Sequence, residues 1–193
     1  MATSPTDLSS SPSIPEPICE LIRRLESLTA RATVPQLKQW LEQLEITVDD
    51  LEPFIDFGSN SYRRNLICEG QWYELLCICW RSGQRSPIHN HAGSTCGLRI
   101  MQGRATETLF EMTDCGQVVP TESTAAEVNC ICSSQDEQIH QVSNLQAAGQ
   151  DLITLHIYSP ALKQMDTYSL FSSETEIYRP QNDAIFCHYG DCI

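Results

Sequence analysis

The feature that most limits the fold of this chain is a series of short β-prone runs that begins near residue 57. Gly, Asn, Asp and Ser residues separate these runs, which are YELLCICW, GLRIMQG, ATETLFEM, EVNCICSS, DLITLHIYS and DTYSLFS. Short strands divided by turn residues are typical of antiparallel sandwiches and barrels, whereas βαβ folds need helices between their strands. We therefore predict a mainly β structure for residues 57–193, with a β-barrel followed by C-terminal strands.

The segment before these runs, residues 16–56, has a helical pattern. Apolar residues recur at the spacing of one helix face at Ile18, Leu21, Ile22, Leu25 and Leu28. Pro35 suits the first turn of a second helix, and Thr47 with Asp50 resembles a capping box for a third, short helix. Residues 1–15 are rich in Ser, Thr and Pro and are predicted to form a flexible tail. The whole chain, residues 1–193, is predicted to be one domain.

Charge and hydropathy exclude several classes of function. The net charge of −13 disfavours binding to nucleic acid or to anionic membranes, because both need clustered Lys and Arg. The apolar runs are too short to cross a membrane, and the N-terminal residues lack the features of a secretory signal. We therefore expect a cytoplasmic protein with neither a nucleic-acid nor a membrane partner.

The ten cysteines are predicted to be reduced thiols, since a cytoplasmic protein rarely forms disulfides. Two Cys-x-Cys pairs, Cys77/Cys79 and Cys130/Cys132, lie in β-prone runs, where alternate residues share a face. Zinc binding by these pairs is conceivable. Small side chains in the hydrophobic core are the favoured interpretation.

Two of the five histidines, His89 and His91, lie one residue apart in SPIHNHA. If this segment is a strand, both imidazoles project to the same side, about 6–7 Å apart along the backbone, which suits two ligands of one metal. The pair by itself is equally compatible with surface or core histidines. A metal site also needs at least a third ligand.

The surrounding residues resemble the two metal-binding motifs of the cupin superfamily. The first motif is matched by Gly83, His89, His91, Cys96 and Gly103, with cysteine where a glutamate ligand is usual. His140 and Asn144 match the His-x3-Asn ending of the second motif. The resemblance implies a cupin jelly-roll barrel with a short N-terminal helical segment, in which His89, His91 and His140 bind one metal.

Four blocks in order, SYRRNL, SPIHNHAGSTC, MQGRATETLF and TLHIYSP, narrow the resemblance to the cysteine dioxygenase family of thiol dioxygenases. The match runs from about Tyr62 to Pro160. It implies a non-haem Fe(II) cofactor and the oxidation of L-cysteine by O2 to cysteine sulfinic acid, a known rung of the thiol oxidation ladder. Three neutral imidazoles leave the charge of Fe(II) uncompensated, which favours an anionic thiolate from the substrate.

The resemblance also assigns the substrate-binding residues. Arg64 corresponds to the arginine that binds the substrate carboxylate, and Tyr62 lies beside it. A guanidinium suits this task because it donates two charge-assisted hydrogen bonds to one carboxylate. Related 3-mercaptopropionate dioxygenases have glutamine at this position, so Arg64 favours cysteine as the substrate. Arg63 would point the other way in an extended segment and is assigned to the surface.

Three further residues, Thr154, His156 and Tyr158, share one strand face by their spacing. They resemble the family's Ser-His-Tyr relay, in which the histidine orients a tyrosine hydroxyl toward the metal-bound ligands, with threonine here in place of serine. Family members with cysteine at the position of Cys96 form a thioether with the active-site tyrosine. The resemblance therefore implies a Cys96–Tyr158 crosslink.

Other functions remain open from the sequence. The alternatives are a dioxygenase of another small thiol, such as 3-mercaptopropionate or cysteamine, a non-catalytic metal-binding cupin, and a zinc or nickel cupin with hydrolytic or isomerase activity. For the enzyme, the expected partners are L-cysteine and O2, and the expected oligomeric state is a monomer. His188 matches no motif and is not expected to bind metal.

Overall fold

Two helices, one 3-10 helix and twelve strands make up the described part of the chain. The computed structural model describes residues 14–135 and 138–185. The helices are α1 (Glu16–Glu26), α2 (Val34–Gln43) and a 3-10 helix (Asp49–Phe54). The strands are β1 (Arg63–Gly70), β2 (Tyr73–Trp80), β3 (Ile88–His89), β4 (Thr95–Gln102), β5 (Ala105–Met112), β6 (Val118–Ala126), β7 (Ile131–Gln135), β8 (Ile139–Ser143), β9 (Leu152–Ser159), β10 (Met165–Ser169), β11 (Ser172–Tyr178) and β12 (Ala184–Ile185).

The strands form two six-stranded sheets. The order is β12-β1-β2-β9-β4-β7 in the first sheet and β11-β10-β3-β8-β5-β6 in the second. Neighbouring strands are antiparallel except for β12, which runs parallel to β1. Apolar side chains from the inner faces of both sheets pack together in one buried cluster. The mainly β, cupin-type barrel that the sequence predicts is confirmed.

The two central strands of the first sheet, β2 and β9, are buried on both faces along their whole length. Successive side chains of a strand point to opposite faces. Leu75 and Cys77 therefore pack toward the helices, whereas Leu76 and Ile78 pack into the barrel. Burial on both faces explains why these runs are almost continuously apolar, and it places the few polar residues of the inner face inside the barrel.

The helices cover the outer face of this sheet. The apolar stripe of α1 is buried there, with Leu28 partly buried at its end. Helix α2 begins at a capping box formed by Thr33 and Gln36. It packs closely on β4 because Gly97 has no side chain: a Cβ atom there would lie 3.0 Å from Leu41 Cδ1.

Some sequence predictions need correction. YELLCICW and ATETLFEM coincide with β2 and β5, but β6 was not predicted, and β7 begins at Ile131 rather than near residue 127. Cys77 and Cys79 are core residues, as predicted. Cys130 is exposed because it lies in a loop between strands at the surface, so its assignment to the core was wrong.

Several predictions concern residues outside the described ranges. They are the flexible tail, most of which falls in residues 1–13, and the assignments of Cys187, His188 and Cys192. Among the helices described, none combines the length and apolar character needed to cross a membrane.

Candidate metal centre

The three motif histidines lie together at the inner face of the second sheet. His89 ends β3 and is paired directly across from His140 on β8. His91 lies beyond the end of β3, in a turn where Ala92 has a φ of 41° and Gly93 a φ of 94°. The predicted strand through SPIHNHA is therefore only two residues long. All three imidazoles are nevertheless buried and in one cluster.

Each imidazole has a hydrogen-bond partner at its Nδ1 atom. The partners are the Pro87 carbonyl for His89 (2.9 Å), Ser134 Oγ for His91 (3.3 Å) and the Glu107 carboxylate for His140 (2.6 Å). A proton held at Nδ1 by such a partner leaves the Nε2 lone pair available as a metal ligand. The cluster therefore presents its Nε2 atoms to a common point.

The spacing of two of these atoms, the Nε2 atoms of His91 and His140, matches that of two ligands on one metal ion. The ligand atoms of the three histidines all lie within 4.8 Å of one another. The Nε2 atoms of His91 and His140 are 3.2 Å apart. Two nitrogen ligands about 2.1 Å from a metal, at octahedral or tetrahedral angles, are separated by roughly 3.0–3.4 Å. The donor set of the cluster is thus suited to one transition metal.

The protonation state of the cluster is also compatible with metal binding. The pKa of His89 is lowered to about 3. The main cause is burial, and the second is repulsion by the charge that a protonated His140 would carry. Burial and the neighbouring histidines likewise lower the pKa of His91. Both imidazoles are therefore neutral at pH 7, which is the form that binds metal.

One cavity connects this cluster with the other predicted residues. Seven of the nine predicted site residues line it: Tyr62, Arg64, His89, Cys96, His140, His156 and Tyr158. His91 contacts His140 at the edge of the cavity, and Thr154 contacts His156 behind it. The structure therefore brings all nine residues into one region.

A chain of hydrogen bonds runs along the inner face of β9. Trp80 Nε1 donates to Thr154 Oγ1 (3.0 Å), which lies 2.8 Å from His156 Nε2. His156 Nδ1 is 3.3 Å from the Tyr158 hydroxyl. Burial lowers the pKa of His156 and raises that of Tyr158, so the chain is neutral and the phenol keeps its proton. The order Thr, His, Tyr is the one predicted.

Cys96 and Tyr158 are direct cross-strand neighbours on β4 and β9. Both line the cavity and both are almost fully buried. Burial raises the pKa of the Cys96 thiol. Directly paired residues of antiparallel strands have Cβ atoms roughly 4.5–5.5 Å apart, which puts the thiol next to the phenol ring.

The comparison with known proteins agrees with this geometry. A family model described as Cysteine dioxygenase type I matches residues 7–170, most of the chain. The chain belongs to this family. Cysteine dioxygenase type 1 from Rattus norvegicus and that from Homo sapiens are each 30% identical to it over 167 residues, 83% of this chain and 82% of theirs. The Danio rerio protein of the same name is 29% identical over 161 residues, 80% of each chain.

The match to a solved structure from Thermus thermophilus covers 60% of this chain and 99% of that chain, with a TM-score of 0.49 and 15% identity.

Family membership makes the chain a thiol dioxygenase, and the three-histidine cluster implies a non-haem metal.

In this dioxygenase, Arg64 faces the cavity and Arg63 faces outward, as the alternation of β1 predicts. Arg63 pairs with Asp56 at the surface. The Arg64 guanidinium lies 5.5 Å from the centroid of the Tyr158 ring and forms a buried ion pair with Glu74. Burial by itself lowers the pKa of Arg64, but Glu74 and the nearby phenols raise it overall, so the guanidinium is charged.

Tyr62 lies beside Arg64 and stacks on Trp80, with ring centroids 4.4 Å apart and planes inclined by 19°. Burial raises the pKa of Tyr62 to about 12, so its hydroxyl is a donor at neutral pH. The stacking fixes the ring at one wall of the cavity.

Four polar or aromatic residues of the site were not identified from the sequence: Glu74, Trp80, Glu107 and Ser134. Each contacts a predicted site residue that lies on another strand or loop. Glu107 and Trp80 lie in strands whose composition is typical of ordinary β-structure. No local spacing distinguishes them, so only the pairing of the strands reveals their position.

Proposed function

We propose that this protein oxidises L-cysteine to cysteine sulfinic acid, with both atoms of O2, at an Fe(II) ion held by His89, His91 and His140. The observation that carries this proposal is a cavity lined both by buried histidines of the metal cluster and by a buried arginine. Relatives that match most of the chain are named cysteine dioxygenase type 1, which supports the same substrate.

A bound Fe(II) ion would mediate electron transfer from the substrate sulfur to O2. The protein's own residues would position the substrate for this reaction. Arg64 would hold the substrate carboxylate through charge-assisted hydrogen bonds. This contact would orient the thiol toward the three histidines. The carboxylate end would then lie beside Tyr158, whose ring is 5.5 Å from the Arg64 guanidinium, in the cavity that Tyr62 also lines.

Tyr158 would act as a hydrogen-bond donor, because its buried phenol keeps its proton. If Thr154 donates to His156 Nε2, then His156 donates from Nδ1 to the phenol oxygen. The phenol proton is then free to point into the cavity toward the sulfur or the oxygen that reacts with it. Thr154 and His156 would thus be positioning residues for Tyr158.

The direct test is oxygen uptake by anaerobically iron-loaded protein with L-cysteine, 3-mercaptopropionate and cysteamine in turn. We expect L-cysteine to give the fastest turnover and a product heavier by two oxygen atoms. Turnover of only one of the other thiols would identify a different thiol dioxygenase. Tight metal binding without turnover of any thiol would identify a non-catalytic cupin.

Replacing His91 by alanine tests the metal site. We expect His91→Ala to lose bound iron and all dioxygenase activity, because two imidazoles cannot replace the three-ligand cluster. Iron content by elemental analysis and oxygen uptake measure the two effects. His188→Ala is the control and should retain both. Full iron and turnover in His91→Ala would place the metal elsewhere.

Replacing Arg64 by glutamine tests carboxylate recognition. Glutamine retains a hydrogen-bond donor for Glu74 but lacks the charge. We expect kcat/KM for L-cysteine to fall by roughly 10–100-fold, the value of a hydrogen bond to a charged group. Cysteamine has no carboxylate and should be oxidised at an unchanged rate. An equal loss with both thiols would contradict the assignment.

A further inference from the structure

Glu74 is a buried carboxylate directly behind the proposed substrate-binding arginine. Its side chain is 2% exposed and that of Arg64 is 6% exposed. Arg64 Nη2 donates to Glu74 Oε1 at 2.8 Å. Glu74 lies on β2, directly opposite Tyr158 on β9, so it occupies the same inner face as the proposed catalytic tyrosine. It is not among the residues that line the cavity.

The contacts of Glu74 hold the Arg64 guanidinium on the side that faces away from the cavity. Oε1 also accepts a hydrogen bond from the backbone N–H of Leu162 at 3.1 Å. Oε2 lies 3.5 Å from Asn182 Nδ2, and Asn182 Oδ1 accepts from Arg64 Nε at 3.3 Å. At least two of the three guanidinium nitrogens therefore already have oxygen partners. The orientation of Arg64 is set before any substrate arrives.

The ion pair also changes the charge that a substrate meets. A buried arginine without a partner would attract a carboxylate strongly, since few water molecules screen the interaction. Glu74 compensates that charge at hydrogen-bond distance. A substrate carboxylate must therefore share the guanidinium with a carboxylate that is already bound to it.

We propose that Glu74 is a specificity-determining residue, which fixes the orientation of Arg64 and attenuates its attraction for thiols that carry a carboxylate. This inference rests on the proposed role of Arg64 in substrate binding. It goes beyond that role because it assigns the selectivity between carboxylate-bearing and carboxylate-free thiols to the Arg64–Glu74 pair rather than to Arg64 alone.

The test is Glu74→Gln, which keeps an oxygen acceptor for Leu162 and Arg64 but removes the negative charge. We expect KM for L-cysteine to fall by roughly tenfold, which corresponds to about 1.4 kcal/mol. KM for cysteamine should stay within about twofold. Anaerobic calorimetric titration should show the same contrast, with tighter binding of 3-mercaptopropionate and unchanged binding of cysteamine.

Glu69→Gln is the matched control. Glu69 is paired across the strands with Glu74 but forms its ion pair with Lys163 at the surface. Removal of this charge should leave both constants unchanged. Unchanged or weaker binding of L-cysteine in Glu74→Gln, or an equal change for cysteamine, would overturn the proposal.

A double variant keeps the proposal testable if Glu74→Gln does not fold. Arg64→Gln with Glu74→Gln leaves no unpaired buried charge, and its affinity for 3-mercaptopropionate should be at least that of Arg64→Gln alone, because a carboxylate that repels the substrate carboxylate has been removed. Weaker binding in the double variant would show that Glu74 assists carboxylate binding and would overturn the proposal. The titrations do not need turnover, so they remain informative even if no thiol is oxidised and the proposed reaction fails.

Discussion

Glu107 lies behind His140 and accepts a hydrogen bond from its Nδ1 atom at 2.6 Å. A carboxylate in this position holds the imidazole ring in place and raises its basicity as a ligand. Ser134 and the Pro87 carbonyl have corresponding positions behind His91 and His89. Glu107 is the one carboxylate among these three partners, so we expect its removal to have the largest effect on metal affinity.

We predict that Glu107→Gln lowers metal affinity by about 10–100-fold, the usual effect of losing such a partner. The amide still accepts a hydrogen bond, but it carries no charge to polarise His140. Competition with a chromophoric chelator measures the affinity. Glu111→Gln changes an exposed residue of the same strand and should have wild-type affinity. Equal affinity in the two variants would show that Glu107 only fills space.

At the scale of secondary-structure elements, three strands place one row of side chains across the inner face of the first sheet. Glu74 on β2, Tyr158 on β9 and Cys96 on β4 are consecutive cross-strand partners. The register of the strands therefore determines that the tyrosine lies between a carboxylate and a thiol. A shift of one residue in either pairing would turn one of these groups toward the helices.

The family resemblance implies a thioether between Cys96 Sγ and the Tyr158 ring, and this register places the two residues side by side. We predict that the bond forms during turnover, when O2 and iron can remove two hydrogens from the pair. Peptide mapping by mass spectrometry should find the two peptides joined and two hydrogens lighter, in a fraction that grows with turnover. The crosslink would restrict the phenol and tune the rate without being essential.

Two variants control for the identity of the cysteine. Cys96→Ser should abolish the joined peptide, whereas Cys132→Ser, on neighbouring β7, should not affect it. Separate, unmodified peptides after many turnovers of iron-loaded enzyme would show that Cys96 has only a packing role.

At the scale of the whole molecule, the two sheets bury three imidazoles, those of His89, His91 and His156, in their neutral forms. Burial lowers the pKa of His156 below its ordinary value near 6.5. Below that pH the unfolded chain binds a proton at this residue that the folded protein does not bind. Stability therefore falls as the pH falls.

We predict that His156 contributes about 1 kcal/mol to the loss of unfolding free energy between pH 7.0 and pH 5.5, if it stays neutral in the folded protein. Urea unfolding of metal-free protein at both pH values measures this loss. His156→Gln should show a loss smaller by about the same amount. An identical loss in the variant would mean that His156 is protonated in the folded protein.

Much of the architecture could be predicted from local sequence patterns. The apolar stripe of α1 and the β-prone runs that became β2 and β5 depend on neighbouring residues alone, because helix and strand periodicity are local properties. The strand β6 was missed because nearly all of its side chains are exposed, so apolar and polar residues do not alternate along it. The segment SPIHNHA was considered as a strand, but β3 ends at His89 and a turn that contains Gly93 follows it.

The sequence by itself identified the three histidines of the candidate metal cluster, the Thr154–His156–Tyr158 order and Arg64 as a site residue. Motif spacing, strand alternation and the family resemblance together carry this information. Tertiary structure decided what surrounds them. Glu107 contacts His140 across 33 positions of the chain, and Trp80 contacts Thr154 across 74. The pairing of Glu74 with Arg64 likewise depends on the register of β1 and β2, and on Asn182, which contacts Glu74 from a later part of the chain. Such contacts arise from strand register and burial, which no local pattern of residues encodes.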